Sequence, residues 1–212
     1  MIININKMHF PVTVLGPGQR IGLWVQGCSI GCAGCMSRDT WDRGDKYAVS
    51  LNEVIDWCVS NADNGADGIT ISGGEPFEQP AALAALVDGL DDWRQSARRQ
   101  FDILCYSGMS LMRLRRDFAH ILARLDALIP EPFQQRRPRG GSWMGSSNQP
   151  LILLSELGRI RFANVPTGQQ IQVSLSDGKL FTIGIPDRGD MDRLAEGLRG
   201  KGIKLGGSSW LG

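Results

Sequence analysis

Between residues 20 and 130 short β-rich runs alternate with helical stretches, and few architectures accommodate that order. Residues 20–26 (RIGLWVQ) read as a strand that ends at Gly27-Cys28. Residues 50–62 carry Leu51, Val54, Ile55, Cys58 and Val59 at helical spacing, and Ser50 with Glu53 forms a capping box ahead of them. GITIS (68–72) is the next strand. The run 80–93 is a helix with Pro80 in its first turn, 101–108 a strand, 110–125 a helix, and 126–130 a strand. Repeated β-α-β units of this kind require an α/β fold built on a parallel sheet with right-handed crossovers.

The texture changes afterwards. Residues 136–150 (RRPRGGSWMGSSNQP) are rich in Gly, Ser, Pro and Arg and form a loop. Beyond them 158–165, 169–175 and 179–185 alternate as antiparallel strands would, the last two joined through Ser176-Asp177-Gly178 as a hairpin. Residues 190–203 read as a short helix. The chain therefore divides near residue 155, into an α/β core at 1–155 and a small α+β appendage at 156–212, with no internal repeat. The chemical motifs all precede residue 150, so the appendage is expected to serve target recognition.

At 212 residues, 42% hydrophobic and 21% charged, the chain suits one main globular domain and excludes a disordered or fibrous one. No apolar run approaches the roughly 20 residues that cross a bilayer. The start, MIININKMHF, lacks the basic and then apolar order of a signal peptide, which points to the cytoplasm. The net charge of +1 hides an uneven distribution: residues 1–93 hold 5 basic and 12 acidic side chains, whereas 94–139 hold 10 and 4. That basic middle is either a set of solvated faces or a patch for an acidic partner, a nucleotide or a nucleic acid.

Three of the five cysteines, Cys28, Cys32 and Cys35, fall within eight residues in a CxxxCxxC arrangement directly after a strand. Clustered thiols suggest metal rather than a disulfide framework. Four thiolates would close a zinc or iron–sulfur site; three leave one position vacant. Zinc would need a fourth ligand, and the only histidines, His9 and His120, stand at no finger-like spacing. Gly27, Gly31 and Gly34 let the intervening backbone curl tightly. Cys58, on the apolar face of a helix, belongs to the core. Ser72-Gly73-Gly74-Glu75-Pro76 follows the GITIS strand, where open α/β folds place ligands, and Glu75 can accept charge-assisted hydrogen bonds from an ammonium. The same segment could equally be a turn before a helix.

Residues 11–42 (PVTVLGPGQRIGLWVQGCSIGCAGCMSRDTWD) resemble the opening of the radical S-adenosylmethionine (SAM) activases of glycyl-radical enzymes, closest to the branch that serves anaerobic ribonucleotide reductase. Gly16-Pro17-Gly18, the cysteine triplet and Arg38 to Asp42 carry the resemblance. Gly34 before the third cysteine is shared with that branch, and Met36 after it departs from the more familiar aromatic or histidine. The resemblance extends over roughly residues 8–153. It implies a partial, open parallel β/α barrel. It also implies that Cys28, Cys32 and Cys35 bind a 4Fe-4S cluster whose unique iron takes SAM. Gly34, Ser72, Gly73, Gly74, Glu75 and Pro76, with Tyr106 and Ser107 of the Cys105–Gly108 segment, would lie on the SAM side. Residues 126–133 and the Gly145-Ser146-Ser147-Asn148-Gln149 segment resemble the family's late strand and active-site loop. The implied reaction is reductive cleavage of SAM to methionine and a 5′-deoxyadenosyl radical that takes hydrogen from a protein partner. A one-electron donor such as flavodoxin or ferredoxin would feed it, and neither a membrane nor a nucleic acid is the expected partner. Two other classes stay open: a radical SAM enzyme that modifies a peptide, nucleotide or nucleic acid, and a non-catalytic cluster- or zinc-binding module.

Overall fold

Four parallel strands form the centre of one mixed sheet in the computed structural model, which describes residues 1–97, 100–165, 171–176 and 179–203. They are β2 (Arg20–Val25), β4 (Gly68–Gly73), β5 (Asp102–Tyr106) and β6 (Ala127–Ile129). Antiparallel strands extend both edges: β1 (Ile2–Val12) and β3 (Ala48–Ser50) beside β2, and β7 (Ile152–Leu153) beside β6, giving the order β3-β1-β2-β4-β5-β6-β7. The parallel pairs are in register from Arg20 opposite Gly68 to Val25 opposite Gly73. Their C-terminal ends therefore finish level, and the cysteine loop, the Gly73-Gly74 turn and Ser107 all leave from one rim.

Helices cover one face. The capping box at Ser50 and Glu53 opens α1 (Leu51–Ala62), and Pro80 opens α2 (Pro80–Ser96). Leu83, Leu86 and Leu90 of α2 pack with Val54 and Cys58 of α1 against Ile21, Leu23, Ile69, Ile71 and Ile103, all fully or almost fully buried. Cys58 is thus a core residue. The run 110–125 is not one helix but two, α3 (Leu111–Asp117) and α4 (Ala119–Leu122), because Phe118 turns inward to meet the Phe77 ring at 5.2 Å.

The opposite face is covered by later parts of the chain. Leu104, Ala127 and Ile129 pack beneath Trp143 and Phe162, and Val12 and Trp24 beneath Ile183. Arg20 and Asp102 sit on this face, both 0% exposed, as a bidentate pair at 2.6 and 3.1 Å. The Arg20 guanidinium also donates to Thr70 Oγ1 (2.6 Å), the Ile69 carbonyl (2.8 Å) and the Pro17 carbonyl (3.1 Å). A buried charge is tolerated only when paired and hydrogen-bonded in this way.

The expected strand at 158–165 is instead the helix α5 (Glu156–Arg161), capped by the Ser155 hydroxyl, which accepts from Gly158 N at 3.0 Å. Gly158 and Phe162 face inward one turn apart while Ile160 is exposed, and that spacing mimicked strand alternation. A Cβ on Gly158 would stand 2.1 Å from the Asp126 carbonyl oxygen, so the helix lies directly against the end of the sheet. Next come the hairpin β8 (Ile171–Ser176) and β9 (Lys179–Gly184), then α6 (Asp190–Gly200). The expected turn residues Asp177 and Gly178 lie outside the described residues. The hairpin packs on β1 and the segment after it: Phe181 stacks on His9 at 5.4 Å, and Gln172 bonds Thr13 N (2.9 Å) and the Pro11 carbonyl (2.6 Å).

Candidate functional site

The loop of Cys28, Cys32 and Cys35 starts where β2 ends, and its root is held from two sides. The returning chain binds it through Gly27 N to the Thr40 carbonyl (2.7 Å) and Cys28 N to the Trp41 carbonyl (3.1 Å). The turn after β4 binds it through Gly74 N to the Val25 carbonyl and Glu75 N to the Gly27 carbonyl, both 2.8 Å. That contact accounts for both glycines. A Cβ at Gly74 would stand 2.2 Å from the Gly27 carbonyl oxygen, and one at Gly73, where φ is +102°, 2.6 Å from Val25 N. In this chain the double glycine brings β4 against the root of the cysteine loop.

The three thiols are free and half-buried. Burial pushes the Cys28 thiol up, and the Glu75 and Glu78 carboxylates push the same way, against N–H groups of Gly31 and Ile30. Burial raises Cys32 too, with Cys35 and Cys28 adding to it and the Phe133 N–H opposing. These mutual effects place the sulfurs within electrostatic reach of one another, and Ser37 N adds a donor to the Cys35 sulfur at 3.4 Å. Sulfurs that receive backbone N–H groups suit an iron–sulfur cluster, whose potential such bonds tune. Among the described residues no three His, Cys, Asp or Glu side chains converge to hold a single metal ion. Three clustered thiols are nonetheless the donor chemistry that a 4Fe-4S cluster takes.

Glu75 is 1% exposed. Its Oε1 accepts from Phe77 N (3.0 Å) and the Ser107 hydroxyl (2.8 Å), and Oε2 from Gly108 N (2.7 Å). It therefore joins the ends of β4 and β5. Burial lifts its carboxyl to about 7 in spite of those donors. Ser107 also accepts from Met109 N at 3.0 Å, and Pro76 is buried in the first turn of a 3-10 helix, Pro76–Glu78. Tyr106 faces the other side of the sheet, where its hydroxyl donates to the Trp143 carbonyl at 2.9 Å; burial raises its pKa. Ser72, half-buried, is paired with Trp24 across β2 and β4.

Three features had no individual role in the sequence, although Glu131 and Phe133 fall in the stretch 126–133 that resembles the family's late strand. Glu78, three residues past Glu75, binds Ser29 N at 2.9 Å, the Ser29 hydroxyl and the Arg43 guanidinium, so it pins the loop directly after Cys28. Glu131 adopts φ +81°, rare for a residue with a side chain. Three bonds hold it there: its N–H to the Met109 carbonyl, its carboxylate from Leu111 N, and its carbonyl from the Gln149 amide, each 2.9 Å. The third is the segment 133–135, which lies on the cysteine loop: a Cβ at Gly34, where φ is +76°, would stand 2.8 Å from the Gln135 side chain. Gly145 to Gln149 brace that segment, with Ser146 Oγ accepting from Gln134 N (3.0 Å) and Asn148 donating to the Pro132 carbonyl (2.8 Å).

Between these parts opens a cavity of about 590 Å³, lined by Ser29, Ile30, Glu78, Gly108 and Glu131 among others. Its size suits a small-molecule ligand. At the opposite end of the strands an 80 Å³ void bordered by Ile21, Trp93 and Phe101 lies far from any of the motif residues.

The family model for a 4Fe-4S single cluster domain matches residues 14–152. The anaerobic ribonucleoside-triphosphate reductase-activating protein of Vibrio cholerae is 30% identical over 145 residues, 66% of this chain and 92% of that protein. The proteins of the same name from phage T4 and Escherichia coli K12 are each 27% identical, covering 93% of their own lengths and 70% and 66% of this chain. A solved structure, QueE from Escherichia coli, aligns with a TM-score of 0.43 at 19% identity, over 64% of this chain and 74% of that one.

Proposed function

From the premise that the chain belongs to the 4Fe-4S single cluster domain family, alongside the activating proteins of anaerobic ribonucleoside-triphosphate reductase, we propose that it is a radical SAM activase of a glycyl-radical enzyme. The observation that carries this is the meeting, at one rim of a parallel sheet, of three free half-buried thiols, the Glu75–Ser107 bridge and an open cavity. Cys28, Cys32 and Cys35 would hold the cluster, and when bound it would supply the single electron for reductive cleavage of SAM to methionine and a 5′-deoxyadenosyl radical, the species that would take a hydrogen atom from a partner protein.

The chain's own residues position the ligands. Glu78 and the Thr40 and Trp41 carbonyls fix the loop that carries the thiolates. Gly34, Ser72, Gly73, Gly74, Glu75, Pro76, Tyr106 and Ser107 form the SAM side in this proposal. A carboxylate offers about four acceptor positions, and Glu75 uses three, so one remains for the SAM ammonium. Tyr106 contributes through its backbone at the end of β5, since its hydroxyl is fixed to Trp143. The proposal further takes the sheet as the open part of a β/α barrel, residues 1–155 as the catalytic unit and 156–212 as an addition to it. It sets the protein in the cytoplasm, where free thiols persist; among the described residues no helix is long and apolar enough to cross a membrane.

Anaerobic reconstitution tests the assignment. The parent protein should take up close to the four irons and four sulfides of a single 4Fe-4S cluster, and form methionine and 5′-deoxyadenosine from SAM under reductant. Cys58→Ala and Cys105→Ala should retain the cluster, and the triple variant of Cys28, Cys32 and Cys35 should lose it. Zinc held in preference to iron, or a cluster surviving in the triple variant, would refute the proposal.

A further inference from the structure

Among the described residues, the arginines of the basic middle segment differ in what they pair with. Arg94 is spent on Asp91 and Asp126, and Arg124 on Asp88 and Asp91. Arg139 turns inward, 21% exposed, to the Gly141 and Ser142 carbonyls and to Asp187 at 3.6 Å. Arg136 and Arg137, in the same run, are exposed and form no ion pair among the described residues; Arg137 donates only to the neighbouring Gln134 side chain, at 2.7 Å. The fold makes no use of their charge.

Their place is specific. Gln135 lies against Gly34, where an added Cβ would stand 2.8 Å from its side chain, and the Phe133 N–H favours the Cys32 thiolate, so Arg136 and Arg137 directly follow residues that meet the cysteine loop. The cavity lining also holds Arg113, 55% exposed and paired with Asp117 at 3.8 Å, and Arg43, 68% exposed and paired with Glu78. Glu131 is held back by Leu111 N. Beside the cysteine loop, Arg136 and Arg137 are therefore the cations that no carboxylate among the described residues answers, although residues 1–93, which supply the sulfurs, are acidic as a whole.

We propose that Arg136 and Arg137 form the docking surface for an acidic protein that delivers a single electron to the cluster. The inference rests on the function proposed above. Electron-transfer partners meet through small interfaces, and complementary charge sets their encounter rate more than their affinity. The step makes and breaks no bond: the donor is oxidised by one electron and the cluster reduced by one. A donor seated on these arginines lies next to Cys32 and Gly34, at the exposed edge of the loop.

The test uses the full chain, reconstituted, with Arg136→Glu/Arg137→Glu beside Arg136→Lys/Arg137→Lys. Cluster reduction is followed by its visible absorbance with photoreduced flavodoxin, an acidic flavoprotein, and separately with dithionite. The glutamate variant should keep its iron content and its dithionite-driven SAM cleavage. Its reduction by flavodoxin at low salt should slow about 10-fold and lose most of its salt dependence, and the lysine variant should behave as the parent. Unchanged reduction by flavodoxin would overturn the proposal. So would a parallel loss with dithionite, which would make the loop structural, and so would normal reduction with failed hydrogen transfer, which would give the surface to the polypeptide substrate. A parent protein that binds no cluster would overturn the proposed function, and this inference with it.

Discussion

Glu75 ties a pH dependence to the geometry of the site, and Glu75→Gln isolates it. Burial raises the carboxyl from 4.5 to about 7. At about 1.36 kcal/mol per pH unit of displacement, ionising Glu75 in the folded chain costs about 3 kcal/mol more than in the unfolded chain. The folded state holds the proton more tightly, so the contribution is fully present below pH 4.5 and is lost as pH rises through 7. Glutamine cannot ionise and removes that slope. Its amide must also set an N–H against Phe77 N or Gly108 N, which now donate to carboxylate oxygens, at about 1–3 kcal/mol. Urea unfolding of the cluster-free protein under anaerobic conditions, from pH 5 to 8.5, should show the variant clearly weaker at pH 5 and equal to or above the parent at pH 8.5. The difference between the two curves removes the titrations they share. Parallel pH profiles would refute the reasoning, because they would mean that Glu75 is ionised throughout and that its three donors outweigh its burial.

Two further outcomes follow from contacts near the site. Arg20→Met should cost about 3–5 kcal/mol in urea unfolding by stranding Asp102 in the interior, and adding Asp102→Leu should recover part of that loss; a single-variant loss below 1 kcal/mol would contradict the buried network. Gly74→Ala must push β4 away from the Gly27 carbonyl, so it should lower iron uptake at least several-fold while the helix-covered core, read by far-UV dichroism, persists; full uptake would show that the β4 turn does not hold the cysteine loop.

The parallel centre was legible because each of its strands is buried on both faces and bounded by glycine or a capped helix, signals that survive in a single sequence. β1 was not. Ile2 and Ile3 alternate poorly with Asn4, Asn6 and Lys7, and what holds them is long-range pairing with β2 and β3, which local pattern cannot report. The site divides in the same way. The cysteine triplet and Glu75 stand out by spacing and by position after a strand. Glu78, Glu131 and Phe133 act through residues 49, 20 and about 100 positions away, respectively Ser29, Leu111 and Cys32, and no local pattern names those partners until the fold brings them together.

The segment after residue 155 shows how a sound local reading can miss a role. It carries no cysteine, no histidine and no ligand-type glycine loop, which suggested target recognition in place of SAM chemistry. Yet Phe162 is 2% exposed against Leu104, Ala127 and Ile129, its ring stands 5.7 Å from the Arg20 guanidinium, and Ile183 covers Val12 and Trp24. Helices α1 to α4 occupy one face of the sheet, so these residues close the other, where a bare apolar surface would otherwise meet water. Val173 and Leu175 are exposed on the far side of the same hairpin, and strand alternation keeps them off the face that carries Gln172. A recognition role for this segment can reside in that outer face, while the inner one belongs to the fold. Covering the sheet and meeting a partner are then properties of alternate residues along one strand.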